Sequence, residues 1–158
     1  QIFSPQTAYQ MTSMLNGVIK RGTGKGLKDL KVELAGKTGT TNKNTDTWFI
    51  GFTSNLVIGV YIGYDNPKSL GKYETGSKTA MPVFKEFIKQ TANNNNARPF
   101  KVADNIKMMV VDAKTGKKAN SKTKQAIIES FKINSNKSDS LSDNIDSRLN
   151  LTNILKFY

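Results

Sequence analysis

The 158-residue chain contains no cysteine, no histidine and no long apolar run. The missing side chains exclude disulfides, thiol nucleophiles, Cys/His zinc sites and the Ser-His-Asp triad. We therefore expect neither a metal site nor a cofactor. No stretch reaches the roughly 18 apolar residues of a membrane span, and no signal peptide is present. Because the first residue is Gln1 and not Met, we expect an excised or processed piece of a longer protein, with any anchor upstream.

The chain is strongly basic, with 24 Lys and Arg residues, 12 Asp and Glu residues and a net charge of +12. A basic excess of this size is typical of nucleic-acid-binding proteins. Here it is divided equally between residues 1–97 and 98–158, and no block of five like charges occurs. This spread indicates a solvated cationic surface instead of a docking stripe. A basic nucleic-acid-binding module stays open as an alternative, but we expect no specific nucleic-acid partner.

Hydrophobic patterning predicts an α+β chain. Ser4-Pro5 is a helix start and Gly22 a helix stop, with an apolar face between them. Three strands joined by short turns follow, at residues 32–41, 47–53 and 56–64, and a second helix is predicted from Thr79 to Thr91. Trp48, in an apolar strand, is more often part of a core than of a cleft.

The chain divides by composition into three parts. Residues 1–97 form the main domain, and residues 98–119 alternate well enough for a small β extension. Residues 120–158 are rich in Ser, Asn, Lys and Asp, which predicts a mostly disordered tail with a short helix near residues 149–157.

The most informative motif is Lys37-Thr38-Gly39, which precedes the apolar run at residues 48–52. Lys-Thr-Gly is the third element of the active-site signature of penicillin-interacting serine enzymes, after Ser-x-x-Lys and Ser-x-Asn. In that chemistry the tripeptide lies on an edge strand. Its Lys places a positive charge beside the nucleophile, the hydroxyls hold the substrate carboxylate, and the Gly allows close approach to the backbone.

Several other matches to the same signature are predicted to be decoys. A second Lys-Thr-Gly begins at Lys114, in a polar turn, and Ser-x-x-Lys occurs at Ser69 and Ser121 in polar stretches without a core-forming helix. Ser142-Asp143-Asn144 spells the middle element, but all of these matches follow Lys37. The Gly-rich segment at residues 22–26 has the wrong spacing for a phosphate loop, and we place it as a flexible loop beside the cleft.

Residues 34–42, 48–53, 60–65 and 74–76, with the lead-in at residues 4–15 and 21–24, resemble the class A penicillin-binding proteins of the 1A type. The resemblance covers about residues 2–90. It implies the C-terminal part of the antiparallel-sheet-plus-helices fold that serine transpeptidases share with β-lactamases, followed by a C-terminal extension. It also implies a bifunctional peptidoglycan synthase at the periplasmic face of the inner membrane, with the anchor and a glycosyltransferase domain upstream.

The resemblance further implies a D,D-transpeptidase that cross-links stem peptides through an acyl-Ser intermediate and binds β-lactams. Lys37 and Thr40 would be catalytic, the latter through its backbone N–H in the oxyanion hole. Substrate binding would fall to Thr38, Gly39, Thr40 and Thr41. The chain departs from the family at Ser77, where a second glycine is common, and it lacks Ser-x-x-Lys and Ser-x-Asn upstream of Lys37. We therefore expect the chain alone to be inactive and its main partner to be the remainder of the domain. A serine β-lactamase-like fragment and a scaffold role stay open as alternatives.

Overall fold

In the computed structural model, residues 2–91 and 98–133 are described. They form the α+β arrangement expected from the sequence. A short 3-10 helix, Lys25–Leu27, follows the first helix. The remaining elements in chain order are α1 (Pro5–Arg21), β1 (Ala35–Thr40), β2 (Asp46–Phe52), β3 (Val57–Gly63), α2 (Ala80–Thr91), β4 (Ile106–Asp112) and β5 (Ala126–Lys132). The chain separates into two compact units, Gln1–Ala103 and Asp104–Tyr158.

Helix α1 has both of its predicted ends. The Ser4 hydroxyl caps the first turn by accepting from the backbone N–H of Thr7 at 3.2 Å, and Pro5 occupies the first helical position. At the other end, the N–H of Gly22 donates to the carbonyl of Val18 at 3.0 Å. Cap and stop residues therefore define this helix locally, as their chemistry predicts.

Strands β1, β2 and β3 form a three-stranded antiparallel sheet in that order, which is the predicted meander. The register pairs Lys37 with Ile50 and Gly39 with Trp48. Within the described residues β1 pairs with β2 alone, so one side of the Lys-Thr-Gly strand is an open edge. Lys37-Thr38-Gly39 therefore lies on an edge strand, whose outward backbone groups do not pair within this sheet.

One face of this sheet forms the core together with the helices. Helix α1 lies against β1, and α2 lies against β2 and β3. Phe49 and Phe84 meet edge to face, with ring centroids 4.8 Å apart, and both are fully buried. A Cβ on Gly51 would lie 2.6 Å from the Phe84 ring, so only glycine fits beneath this pair. The buried core members are Ile19, Leu27, Leu34, Phe49, Ala80, Met81, Phe84 and Ile88.

The opposite face, which we call the outer sheet face, carries exposed apolar side chains. Its members are Trp48, Ile50, Val57 and Tyr61, with 42%, 50%, 71% and 48% of their surface exposed. The prediction that Trp48 belongs to the core is wrong for this chain. Because side chains alternate along a strand, the burial of Phe49 turns Trp48 to the other face, where its ring contacts Tyr61 at 4.8 Å. A contiguous apolar surface of this kind is typical of an interaction face.

The first unit extends past the predicted boundary at residue 97. The backbone N–H of Phe100 donates to Glu33 Oε2 at 2.7 Å, and its ring packs against Phe52 at 5.7 Å between centroids. These contacts join residues 98–103 to the first unit, so the small β extension begins later than composition suggested.

The second unit is a β-hairpin in which β4 and β5 pair antiparallel over seven positions, from Ile106 with Lys132 to Asp112 with Ala126. Strand β5 lies inside the stretch for which composition predicted disorder, and that prediction is wrong for Ala126–Lys132. The backbone groups of this short strand find their partners on β4, which a composition average over the whole tail does not register. The helix predicted near residues 149–157 lies outside the described residues.

Candidate active site

Lys37 lies on β1 with its side chain exposed. Its Nζ donates to the carbonyl oxygen of Thr38 at 2.9 Å and to Thr38 Oγ1 at 3.2 Å. Among residues 2–91 and 98–133, no carboxylate forms an ion pair with this ammonium group. The positive charge is therefore held at the strand by neutral oxygens and is available to an anionic ligand.

Thr38 meets a second hydroxyl from outside the strand. Its Oγ1 lies 3.2 Å from Thr23 Oγ1, which belongs to the Gly-rich loop after α1. The loop therefore lies beside the Lys-Thr-Gly strand, as predicted. No role was assigned to Thr23 from the sequence, although it lies in residues 21–24, which carry part of the family resemblance.

Thr40 is held by the segment Glu74-Thr75-Gly76. Its Oγ1 accepts from the backbone N–H of Gly76 at 3.1 Å. A Cβ on Gly76 would clash with the carbonyl oxygen of Trp48 and lie 2.7 Å from that of Gly39. Gly76 is therefore required for the close approach of this segment to β1 and β2. This requirement explains why a glycine follows Glu74-Thr75 in the segment.

Asn44 anchors the same segment to the turn between β1 and β2. It has a left-handed backbone, with φ 51, and its Nδ2 donates to the carbonyl oxygen of Glu74 at 2.7 Å. Three residues past Gly76, the hydroxyl of Thr79 lies 2.7 Å from that of Thr47 on β2. The segment that contacts Thr40 is thus fixed on both sides. Asn44 lies in a short turn between two predicted strands, and no candidate role was assigned to it from the sequence.

The backbone N–H of Thr40 points to the open edge. In the β1–β2 hairpin the N–H of Thr41 donates to the carbonyl of Asp46 at 3.1 Å. Because N–H directions alternate along a strand, the N–H of Thr40 is directed away from β2. Lys37, Thr38 and Thr40 thus lie on one edge strand, with the side chain of Lys37 on the outer sheet face, those of Thr38 and Thr40 on the opposite face, and the N–H of Thr40 at the open edge.

Thr41 does not share this edge. Its Oγ1 accepts from the backbone N–H groups of Thr45 and Asp46, both at 3.0 Å, and so closes the hairpin turn. Asp46 extends this network, because its carboxylate accepts from the hydroxyls of Thr45 at 2.8 Å and Tyr61 at 2.7 Å. The hydrogen bond from Thr45 and, after it, the bond from Tyr61 lower the pKa of Asp46. The bond between Tyr61 and Asp46 also raises the pKa of Tyr61.

Replacing Tyr61 with Phe is expected to raise the pKa of Asp46 towards its ordinary value, because one donor to the carboxylate is lost. A lowered pKa in the folded state contributes stability above the unfolded-state pKa, and this contribution is lost as the pH falls through the folded-state value. The variant should therefore lose stability between mildly acidic and neutral pH. An NMR titration of the Asp46 carboxyl measures the shift, with Tyr64→Phe as the control. An unchanged Asp46 pKa in Tyr61→Phe would contradict the assigned bond.

The decoy motifs within the described residues occupy loops and turns, as predicted. Lys114 lies in a turn in which Asp112 Oδ1 accepts from the backbone N–H groups of Lys114 and Thr115 at 2.9 and 2.8 Å. Gly116 closes this turn with φ +69. Ser69 Oγ accepts from the N–H of Gly71 in a loop. Ser142 lies outside the described residues.

Two other kinds of feature are absent from the described part of the chain. No cluster of three or more acidic side chains is placed to hold a metal ion there. No helix in those residues is long and apolar enough to span a bilayer.

Comparison with known families gives one match. A family model described as "Penicillin binding protein transpeptidase domain" matches residues 1–89. The match covers α1, the three-stranded sheet and nearly all of α2, and therefore includes every candidate site residue.

Similar curated proteins are named penicillin-binding protein 1A. That of Rickettsia felis is 46% identical over 142 residues, which is 90% of this chain and 18% of the relative. That of Rickettsia prowazekii is 48% identical over 126 residues, or 80% of this chain and 16% of the relative. The Pseudomonas aeruginosa protein is 40% identical over 133 residues, or 84% of this chain and 16% of the relative.

A solved structure shows the same fold. The crystal structure of penicillin-binding protein 1A from Haemophilus influenzae matches with a TM-score of 0.71 and 29% sequence identity. The match covers 81% of this chain and 20% of the solved one. The α+β antiparallel fold predicted from the sequence is therefore confirmed.

Proposed function

Because this chain belongs to the penicillin-binding protein transpeptidase family, we propose that it supplies the Lys-Thr-Gly strand of a D,D-transpeptidase site. The complete enzyme attacks the terminal D-Ala-D-Ala bond of a stem peptide with a serine hydroxyl and releases D-alanine. It then passes the acyl group to the amine of a neighbouring stem. The serine nucleophile lies outside this chain, and β-lactams acylate the same serine.

The open edge of β1 carries this proposal, because it presents donors to an acceptor-only group. A hydroxyl has one proton and two acceptor lone pairs. Thr38 Oγ1 already accepts from Lys37, and Thr40 Oγ1 already accepts from Gly76. Neither of these bonds uses the threonine's own proton, which suits donation to an acceptor. A carboxylate accepts hydrogen bonds and donates none, and both the D-Ala terminus and penicillins carry one.

Two further groups at this edge suit the acyl-transfer step. The N–H of Thr40, directed away from β2, is one donor to the oxyanion that forms when the carbonyl is attacked. The Lys37 ammonium raises the positive potential beside the serine and assists its proton transfer. Gly39, between Thr38 and Thr40, lets the substrate backbone approach the strand. In this proposal Thr41 shapes the turn that ends the strand.

The outer sheet face supports a proposal for where the nucleophile is held. Lys37 pairs in register with Ile50, so their side chains share this face with Trp48 and Tyr61. We propose that the remainder of the transpeptidase domain covers these exposed apolar side chains and brings Ser-x-x-Lys and Ser-x-Asn against Lys37. Removing their apolar surface from water favours this packing.

The whole-protein context is part of the same proposal. The chain spans 18% or less of the length of the curated relatives described above. We propose that the rest of the protein holds a glycosyltransferase domain and an inner-membrane anchor, so that the site faces the periplasm and its peptidoglycan.

Labelling with fluorescent penicillin tests this function. The chain by itself is expected to stay unlabelled, whereas the longer protein that it completes is labelled on a serine outside these 158 residues. Mass spectrometry of the labelled peptide locates the serine. A label on the isolated chain, or none on the longer protein, would contradict the proposal. Rapid turnover of nitrocefin by the longer protein would instead favour the β-lactamase alternative.

A further inference from the structure

We infer that Thr23 is a positioning residue for the substrate carboxylate and that it acts through Thr38. The inference rests on the proposed function, since it assigns the carboxylate to the Thr38 hydroxyl. Thr23 lies 15 residues before Thr38 and belongs to neither the Lys-Thr-Gly motif nor β1. It therefore adds a specificity-determining side chain to the site.

The hydrogen-bond capacity of Thr38 gives the reason. Its Oγ1 lies 3.2 Å from Lys37 Nζ and 3.2 Å from Thr23 Oγ1. The ammonium group only donates, so it occupies one lone pair of Thr38. When Thr23 donates as well, the second lone pair is filled, and the Thr38 proton is directed to a third group. Thr38 then presents a donor of fixed direction to the carboxylate.

The two donors to Thr38 also strengthen the hydrogen bond from Thr38 to the carboxylate. A hydroxyl that accepts two hydrogen bonds becomes a better donor, because each bond polarises the next. Lys37 and Thr23 thus act together on Thr38, with Lys37 supplying charge and Thr23 supplying direction. Without Thr23, the Thr38 hydroxyl is free to rotate and to accept from water.

The loop that carries Thr23 is held in place. The N–H groups of Gly22 and Gly24 both donate to the carbonyl of Val18 at 3.0 Å. A Cβ on Gly24 would lie 2.7 Å from Ile19 Cδ1, so the backbone packs directly against α1. Farther along, Lys85 Nζ donates to the carbonyl of Gly26 at 2.6 Å. The sequence suggested a flexible loop, whereas these contacts fix the backbone beside Thr23 and leave its side chain exposed.

The test compares benzylpenicillin with its methyl ester in the longer protein. Thr23→Val removes the hydroxyl and keeps the side-chain volume. It is expected to slow acylation by the free acid about two- to tenfold, the range for one lost hydrogen bond, and to leave acylation by the ester unchanged. Thr23→Ser should restore the free-acid rate. Thr12→Val, which removes a hydroxyl bonded to Ala8 within α1, is the matched control and should change neither rate.

Each outcome of this experiment has a distinct meaning. A fall in the acid-to-ester rate ratio in Thr23→Val, with rescue by serine, supports the inference. An equal fall for both compounds, or no change in either, overturns it while the proposed function stands. Failure of the unsubstituted protein to react with either compound overturns the proposed function, and the inference with it.

Discussion

Replacing Lys37 with Ala in the longer protein is expected to slow acylation by benzylpenicillin about 10²–10³-fold, the usual cost of removing one oriented electrostatic contact from such a site. The ammonium group lies at the open edge of β1 and donates to both oxygens of Thr38. Its loss removes the positive charge that we propose to lie beside the nucleophile and a donor to the Thr38 hydroxyl. Time-resolved labelling with fluorescent penicillin measures the rate.

The control for this variant comes from the same hairpin. Lys43 is exposed in the turn between β1 and β2, so Lys43→Ala removes an equal charge without touching the strand. Its acylation rate should match that of the unsubstituted protein. Because Lys37 is also exposed, Lys37→Ala should keep the thermal stability of the parent. Equal acylation rates in the two variants would refute the role that we propose for Lys37.

Replacing Phe84 with Ala is expected to destabilise the transpeptidase fold by about 3–5 kcal/mol, the usual cost of emptying a buried phenylalanine site. Phe84 has no exposed surface and meets Phe49 edge to face at 4.8 Å. Its ring also fills the space above Gly51, where a Cβ would lie 2.6 Å away. The cavity has little means of collapsing, because Phe49 is itself fully buried.

The same helix offers a matched control in Phe87, with 46% of its surface exposed. Phe87→Ala removes the same group but should cost less than about 1 kcal/mol, since little apolar surface is lost from the core. The temperature at which penicillin labelling is lost in the longer protein measures both variants. A domain of 150–250 residues loses about 2–4 °C of melting temperature per kcal/mol. The temperature at which labelling is lost should therefore be at least about 6 °C lower in Phe84→Ala than in the unsubstituted protein. A similar fall in both variants would show that Phe84 is not a core residue.

Local signals predicted much of the fold and the strand that carries the candidate site. The cap at Ser4, the stop at Gly22 and the short turns between the three strands each depend on neighbouring residues only, and the structure has all of them. The two Lys-Thr-Gly copies were likewise separated by local context, because only Lys37 is followed by an apolar strand pair. Lys114 lies in the turn that its polar neighbours predicted.

Nonlocal contacts explain what sequence reasoning missed. The exposure of Trp48 follows from which face of the sheet the helices cover, and β5 forms because β4 supplies its backbone partners. The same holds for Asn44, whose turn-forming side chain reaches Glu74, 30 residues farther along. Each depends on a chain segment that local propensity does not identify.

By itself, then, the sequence determined the two helices, the three-stranded sheet, the family and the candidate Lys-Thr-Gly strand. These follow from short-range capping, alternation and motif context. Only the tertiary structure decided which donors surround that strand. Gly76 meets Thr40 across 36 residues, and Thr23 meets Thr38 across 15. The physical reason is that a hydrogen bond acts over about 3 Å, so its partners are known only once the chain has folded.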